Sequence, residues 1–331
     1  VSQELSQVVP FPTRDQISIC FAHVAYPLAE LFAKRKTNLA HFQVWKRDEL
    51  PEKIADADVL VVSGFWRNEL LDAAPKLRFI QSIGAGYDQF DLNALRSRGI
   101  RLASAKGVNR NAVSEHAIAM ILAMARQIHT GRDHQRNHHW RSMISDLSRR
   151  EDELGGKTLL IVGLGGIGSR LAKLAKAFDM HVVATKRNTA EGAGAADEVF
   201  GSDQVKALLP RADFVALTCP LTPETRNLID AEAFALMKPS SYLINVARGG
   251  CVDEPAMLDA LRNGQIAGAA IDHFWEEPLP ADSPFWELEN VLITPHTAGE
   301  TRLYEENLFD ILLENLDRLW RGEETLRNQV V

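Results

Sequence analysis

The feature that most restricts how this chain can fold is IVGLGGIG, residues 161–168, in which Gly163, Gly165 and Gly168 stand in the spacing GxGxxG. Glycines so spaced also occur in ordinary turns, so the flanks decide. An apolar run, TLLIV, precedes the motif and an amphipathic pattern, SRLAKLAKAF, follows it, which predicts a strand, a tight turn and a helix. In that setting the first glycine permits the turn, the second lets a ligand approach the backbone, and the third lets helix pack on strand. The helix N-terminus then aims N–H groups at an anion. Gly163, Gly165, Gly166, Ile167 and Gly168 are therefore expected to cradle a dinucleotide pyrophosphate.

The next strand pattern, HVVAT, ends at Thr185 and is followed by Lys186 and Arg187. At about 20 residues past such a turn, a carboxylate suits the ribose hydroxyls of NAD, whereas cations suit the 2′-phosphate of NADP. Arg grips a phosphate through paired hydrogen bonds and Lys adds a compact charge. With no acid before Glu191, the pair predicts a preference for NADP(H), with NAD(H) possible; two solvated side chains beside bound NAD are the plainer alternative.

Around the motif, short apolar runs alternate with helical patterns. ISICFAHV, DVLVVSGF, LRFIQSIGAG and IRLASAK form one series, and TLLIVGLGGIG, HVVATK, FVALTC, SYLINVA and AGAAIDHF form another. Such alternation predicts two α/β units, each a doubly wound, Rossmann-like parallel sheet covered by helices. A length of 331 residues accommodates two cores. The predicted division is a dinucleotide-binding unit over 104–295 and a substrate unit over 1–103, completed by 296–331, with the active site in the cleft between them. AVSEHAIAMILAMARQIHTG is apolar almost all round and predicts a helix buried between domains or in a subunit interface. In LYEENLFDILLENLDRLWRG, Leu308, Ile311, Leu312, Leu316, Leu319 and Trp320 share one face and Gly322 supplies the stop, as expected of a closing amphipathic helix.

Three strand patterns of the second series end in groups with useful chemistry: Arg248 after SYLINVA, then Asp272, Glu276 and Glu277 in IDHFWEEPL, and His296 in VLITPHTAG. The carboxyl ends of parallel strands are where α/β proteins bind ligands. Acid–base chemistry on a small anion is served by a proton donor near neutrality, a carboxylate that favours its imidazolium, and fixed positive charge for the anion and for charge that grows on oxygen. His296, Glu277 and Arg248 can fill those parts. Taken singly, each is as readily a structural or solvated residue.

In order along the chain, SIGAGYDQFD, NAVSEHAIAMILA, GKTLLIVGLGGIG, CPLTPETRNLI, FALMKPSSYLINVARGGCVDE, LDALRNGQIAGAAIDHFWEEPL and VLITPHTAG resemble the D-isomer-specific 2-hydroxyacid dehydrogenases, glyoxylate/hydroxypyruvate reductases among them, from about Val59 to Gly322. The resemblance implies that Arg248, Glu277 and His296 are catalytic, Glu277 rather than Glu276 because it directly precedes the proline. It implies that Asp272 and the Val246 backbone hold the nicotinamide carboxamide and that Cys219 and Pro220 pass beside the ribose. Gly84, Ala85 and Gly86 would take the substrate carboxylate, beside Arg248 and His296. It also implies a homodimer. The expected activity is NADPH-dependent reduction of a small 2-oxo acid to its D-2-hydroxy acid. An NAD-dependent, phosphoglycerate-type dehydrogenase and a dinucleotide-sensing, co-repressor-like binding protein are the alternatives. Arg110 and His273 depart from the expected pattern, and Trp66 is a candidate pocket or core residue.

A net charge of −7 without runs of Lys or Arg argues against nucleic acid or an anionic membrane as partner. Cys20, Cys219 and Cys251 lack disulfide or zinc spacing, which fits a reducing cytoplasm. The opening VSQELSQVVPFPTRDQ has no basic-then-apolar leader, and the AIAMILAMA run is too short to span a bilayer. His134 and His138 are four apart, but Arg132, Arg136 and Arg141 beside them disfavour a cation, so no metal site is expected.

Overall fold

In the computed structural model, which describes residues 11–331 apart from the Ser148 side chain, the chain divides into two units. Val1–Pro10, the start of the stretch read above for a leader, lies outside the described residues. Unit 1 takes residues up to Asn109 together with Thr301–Val331, and unit 2 takes Arg110–Glu300. Both borders fall a few residues later than the sequence places them. Ser104 and Ala105 donate backbone hydrogen bonds to Asn328 and Gly84, which ties that segment to unit 1. Thr297 and Ala298 bond to Asp272, which ties His296 and its neighbours to unit 2.

Unit 1 is a five-stranded parallel sheet of β1 (Ser18–Ala22), β2 (Ala40–Val44), β3 (Val59–Val62), β4 (Phe79–Ser82) and β5 (Arg101–Ala103), in the order β2-β1-β3-β4-β5. Every residue of β3 is buried, as helices on both faces require. Ile19, Phe21, Val59 and Val61 pack on one side against Phe32 and the closing helix, Tyr304–Trp320, through Leu308, Phe309, Leu312 and Leu316. Alternate residues, Cys20, Leu60 and Val62, face Trp66, Leu71 and Leu95 on the other. Trp66 is thus a core residue, its ring 5.2 Å from that of Phe90 and its Nε1 donating to Asn68.

Unit 2 is a seven-stranded parallel sheet of β6 (Thr158–Val162), β7 (His181–Lys186), β8 (Glu198–Gly201), β9 (Phe214–Leu217), β10 (Tyr242–Asn245), β11 (Gly268–Ile271) and β12 (Val291–Ile293), ordered β12-β11-β10-β9-β6-β7-β8. The order reverses direction at β6, which carries the glycine turn, and a crevice at such a switch point is where open α/β sheets take ligands. The apolar segment expected between domains or in a subunit interface packs into the core of unit 2. The helix Arg110–Ala125 places Ala117, Ile121 and Met124 against Leu159, Ile161 and Ile244 of the sheet and Leu171 and Ala172 of the helix Gly166–Lys176. It is also shorter than expected. Gln127 adopts φ 50°, and the exposed helix Ile128–Arg136 starts beyond it. Among the described residues, no helix is long and apolar enough to cross a membrane.

Candidate active site

The glycine turn joins β6 to the helix Gly166–Lys176, with Gly165 as N-cap. Gly163 has φ 101°, and a Cβ there would come within 2.9 Å of the Cys219 backbone. At Gly168 a Cβ would lie 2.4 Å from the Gly163 carbonyl oxygen, so the helix can approach its strand only without a side chain. Gly165 differs, because a Cβ would meet nothing within 4 Å. The turn therefore has two glycines demanded by the fold and one that leaves room in front of a helix N-terminus, a cradle that fits a dinucleotide pyrophosphate. The Thr185 carbonyl accepts from Gly163 and Leu164 N–H and holds the turn to β7.

At the end of β7 the two cations part company. Lys186 Nζ sits 3.0 Å from Glu191 Oε2, and this pairing holds the Glu191 carboxyl below its ordinary range. Arg187 is exposed. Cys219 is buried beneath the turn, and its hydrogen bond with Cys251, together with burial, raises its pKa and keeps it a thiol. Pro220 follows, its carbonyl accepting from Thr225 Oγ1.

β10, β11 and β12 are neighbours and run parallel, so the residues just past their ends share one edge. Arg248 leaves β10 in an extended conformation, exposed, its guanidinium donating to the Ala247 carbonyl. The turn beneath it is built by Asn245, which accepts from Ala247 N–H and donates to the Arg248 carbonyl. Gly249 then touches the β11 loop directly: a Cβ there would lie 2.1 Å from the Phe274 backbone. From β11 come Asp272, His273 and Glu277, and from β12 comes His296.

His296 Nδ1 lies 2.6 Å from Glu277 Oε2, and Phe274 N–H donates to Oε1 at 3.1 Å. Burial alone would raise the Glu277 pKa, but the hydrogen bond and charge of His296 and the Phe274 N–H outweigh it and leave the carboxyl below its ordinary value. His296 itself sits at φ 54°, with its N–H donating to the Asp272 and Thr294 carbonyls. Non-glycine residues seldom adopt that conformation, and here it turns the imidazole towards Glu277.

The Asp272 side chain is fully buried and turned inward. Oδ1 accepts from Thr294 Oγ1 at 2.5 Å and from Thr297 N–H at 2.9 Å, and Oδ2 accepts from Ala298 N–H at 3.1 Å. Since the Thr294 hydroxyl gives its one proton to Asp272, the contact of 3.0 Å between His116 Nε2 and Thr294 Oγ1 makes His116 the donor. Val246, just past the end of β10, is buried in the core of unit 2. No motif spacing in the sequence marks Asn245, Thr294 or His116.

His273, noted above as a departure, is buried with its ring centroid 3.9 Å from that of His296 and its Nδ1 3.4 Å from Glu277 Oε1. Burial, His296 and the Arg248 guanidinium push its imidazole down to about 4. Arg110 packs its side chain over Gly166 at the glycine turn. Gly84, Ala85 and Gly86 belong to unit 1, in the loop after β4, where Ala85 and Gly86 are exposed. His134 and His138 lie in and just after the exposed Ile128–Arg136 helix.

A glycine cradle at the switch point of one sheet and an Arg, a Glu and a His along its carboxyl edge define a dinucleotide-binding α/β protein equipped for acid–base chemistry. The profile described as "D-isomer specific 2-hydroxyacid dehydrogenase, NAD binding domain" matches residues 118–298. The chain belongs to the D-isomer-specific 2-hydroxyacid dehydrogenase family. It is 36% identical over 304 residues to the glyoxylate reductase of Pyrococcus furiosus, covering 87% of this chain and 89% of that one. It is 38% identical over 284 residues to the D-3-phosphoglycerate dehydrogenase of Methanocaldococcus jannaschii, with 84% of this chain matched. The chain spans about half the length of that relative, 52%. A solved family protein from Aeromonas salmonicida superposes with a TM-score of 0.83 at 29% identity, covering 96% of this chain and 99% of the other.

Proposed function

We propose that this chain reduces a small 2-oxo acid, of the glyoxylate or hydroxypyruvate kind, to its D-2-hydroxy acid with a preference for NADPH. The observation that carries the proposal is the close pairing of His296 with Glu277 on a sheet edge shared with Arg248. The glycine turn would hold a reduced nicotinamide dinucleotide by its pyrophosphate, and that group would supply the hydride for the carbonyl carbon. His296 holds one proton on Nδ1 against Glu277 and presents the other on Nε2, from which the growing alkoxide takes it. Glu277 steadies the imidazolium before that transfer and keeps the ring in register afterwards. Arg248 pairs with the substrate carboxylate and lends positive charge to the oxo oxygen. The Val246 backbone is assigned the carboxamide, and the inward-turned Asp272 orders the loop that carries His296.

NADPH preference rests on Arg187, whose exposed guanidinium at the end of β7 suits a 2′-phosphate. The ion pair of Lys186 with Glu191 favours the alternative, NAD(H), because it neutralises one of the two cations. Titration with NADPH and NADH decides between them. Replacing Arg187 with Asp should weaken NADPH far more than NADH, and equal or reversed affinities in the native protein would reject the preference. Oxidation of NADPH by a panel of 2-oxo acids tests the activity, and firm cofactor binding without turnover would favour a sensing protein. We also assign a homodimer, supported by the nearly bare side chains of Trp140 and Met143 beyond the Ile128–Arg136 helix.

A further inference from the structure

We infer that His273 is a positioning residue that clamps the Glu277–His296 pair from its buried side. The inference rests on the proposed roles of those two residues, and three contacts carry it. The ring of His273 crosses that of His296 at 61° with centroids 3.9 Å apart, which blocks rotation of the half-exposed imidazole. Its Nδ1 lies 3.4 Å from Glu277 Oε1, the carboxylate oxygen that accepts from Phe274 N–H, and sets a polar ring edge against it. Its Nε2 lies 3.7 Å from Asp272 Oδ2, so the ring, with one N–H to give when neutral, is wedged between two carboxylates.

The charges around it decide its state. His296, Arg248 and Asp272 face His273 directly, His116 reaches Asp272 at 3.8 Å from the Arg110–Ala125 helix, and Glu276 lies along the same loop beside Glu254, which accepts from Trp275 N–H. Burial with two cationic neighbours keeps the His273 ring neutral across the working range, so it braces His296 without repelling its imidazolium. With Oε1 held by Phe274 N–H and flanked by His273 Nδ1, Glu277 keeps Oε2 on His296 Nδ1. A hydrocarbon side chain would fill the space but take away the polar ring edge beside Oε1, and a less solvated carboxylate takes up a proton more readily.

The test compares His273→Leu with His273→Asn, whose amide offers an N–H near the position of Nδ1. In the NADPH-loaded protein, His273→Leu should move the acid limb of kcat/KM upward by about one pH unit and lower kcat about tenfold, with the KM for NADPH unchanged. His273→Asn should restore most of the limb. Unshifted limbs in both variants, or equal losses of kcat without a shift, would reduce His273 to packing and overturn the inference. NMR titration of the histidine rings in the native protein gives a second reading: a His273 ring that titrates near 6.5 would also overturn it. If the native protein turns over no 2-oxo acid, the proposed function fails, while the His296 titration in His273→Leu against native protein still decides the clamp.

Discussion

His296 Nδ1 and Glu277 Oε2 meet at 2.6 Å across two adjacent strand ends. The imidazole gains a preferred tautomer and the carboxylate a cationic partner. Glu277→Gln keeps the shape and removes the charge, and His296→Asn removes the proton donor. Steady-state rates with NADPH and glyoxylate should fall by roughly 10²-fold or more in each, the usual span for a positioned acid–base group. The double variant should be little worse than His296→Asn, because the two act as one unit.

Acidification should weaken the fold through His273. Its pKa is lowered from 6.5 to about 4 in the folded chain, so between those values the unfolded chain binds a proton that the folded one refuses. Stability is therefore fully present above about 6.5 and declines as pH drops towards about 4. Melting temperatures across that window should fall more steeply in the native protein than in His273→Asn. Parallel curves would contradict the assignment.

Glu191 restrains Lys186 in the structure with an exposed carboxylate. Glu191→Gln should free the ammonium and tighten NADPH by up to about fivefold, the scale of an exposed ion pair, with NADH little changed. Fluorescence titration with both cofactors measures the ratio.

The glycines of the turn should separate fold from binding. Gly163→Ala and Gly168→Ala place a methyl within 3 Å of backbone and should lower the melting temperature. Gly165→Ala meets nothing within 4 Å, so it should melt like the native protein while binding NADPH at least tenfold more weakly.

Asp272→Ala would strand the Thr297 and Ala298 N–H groups and the Thr294 hydroxyl together. The expected cost is about 2–4 kcal/mol by denaturant titration, together with a loss of kcat as the His296 loop loosens.

Both sheets are legible in the sequence because buried parallel strands read as unbroken apolar runs, and β3 and β9 are buried along their whole length. The convergence of strand ends is legible too, since Arg248, Glu277 and His296 each follow such a run. What escapes is set by single contacts over long separations. The bond from His116 to Thr294 spans 178 positions, and Asp272 and Ala298 are 26 apart, so no local pattern announces either. Lys186 and Glu191 are close in sequence, yet their pairing depends on how the short helix Thr189–Glu191 turns back after Asn188. The apolar helix Arg110–Ala125 could not be placed from its sequence, because a surface apolar all round does not say which neighbour it meets.

Gly249 has the last bearing on the chemistry. With only hydrogen on its Cα, the strand-end turn that carries Arg248 lies main chain to main chain upon Phe274 and Trp275, in the loop that holds Glu277. The distance between the two main-chain segments that bear Arg248 and Glu277 is thus gauged by stiff peptide planes. A side chain at position 249 would pry the two segments apart before any other change was felt.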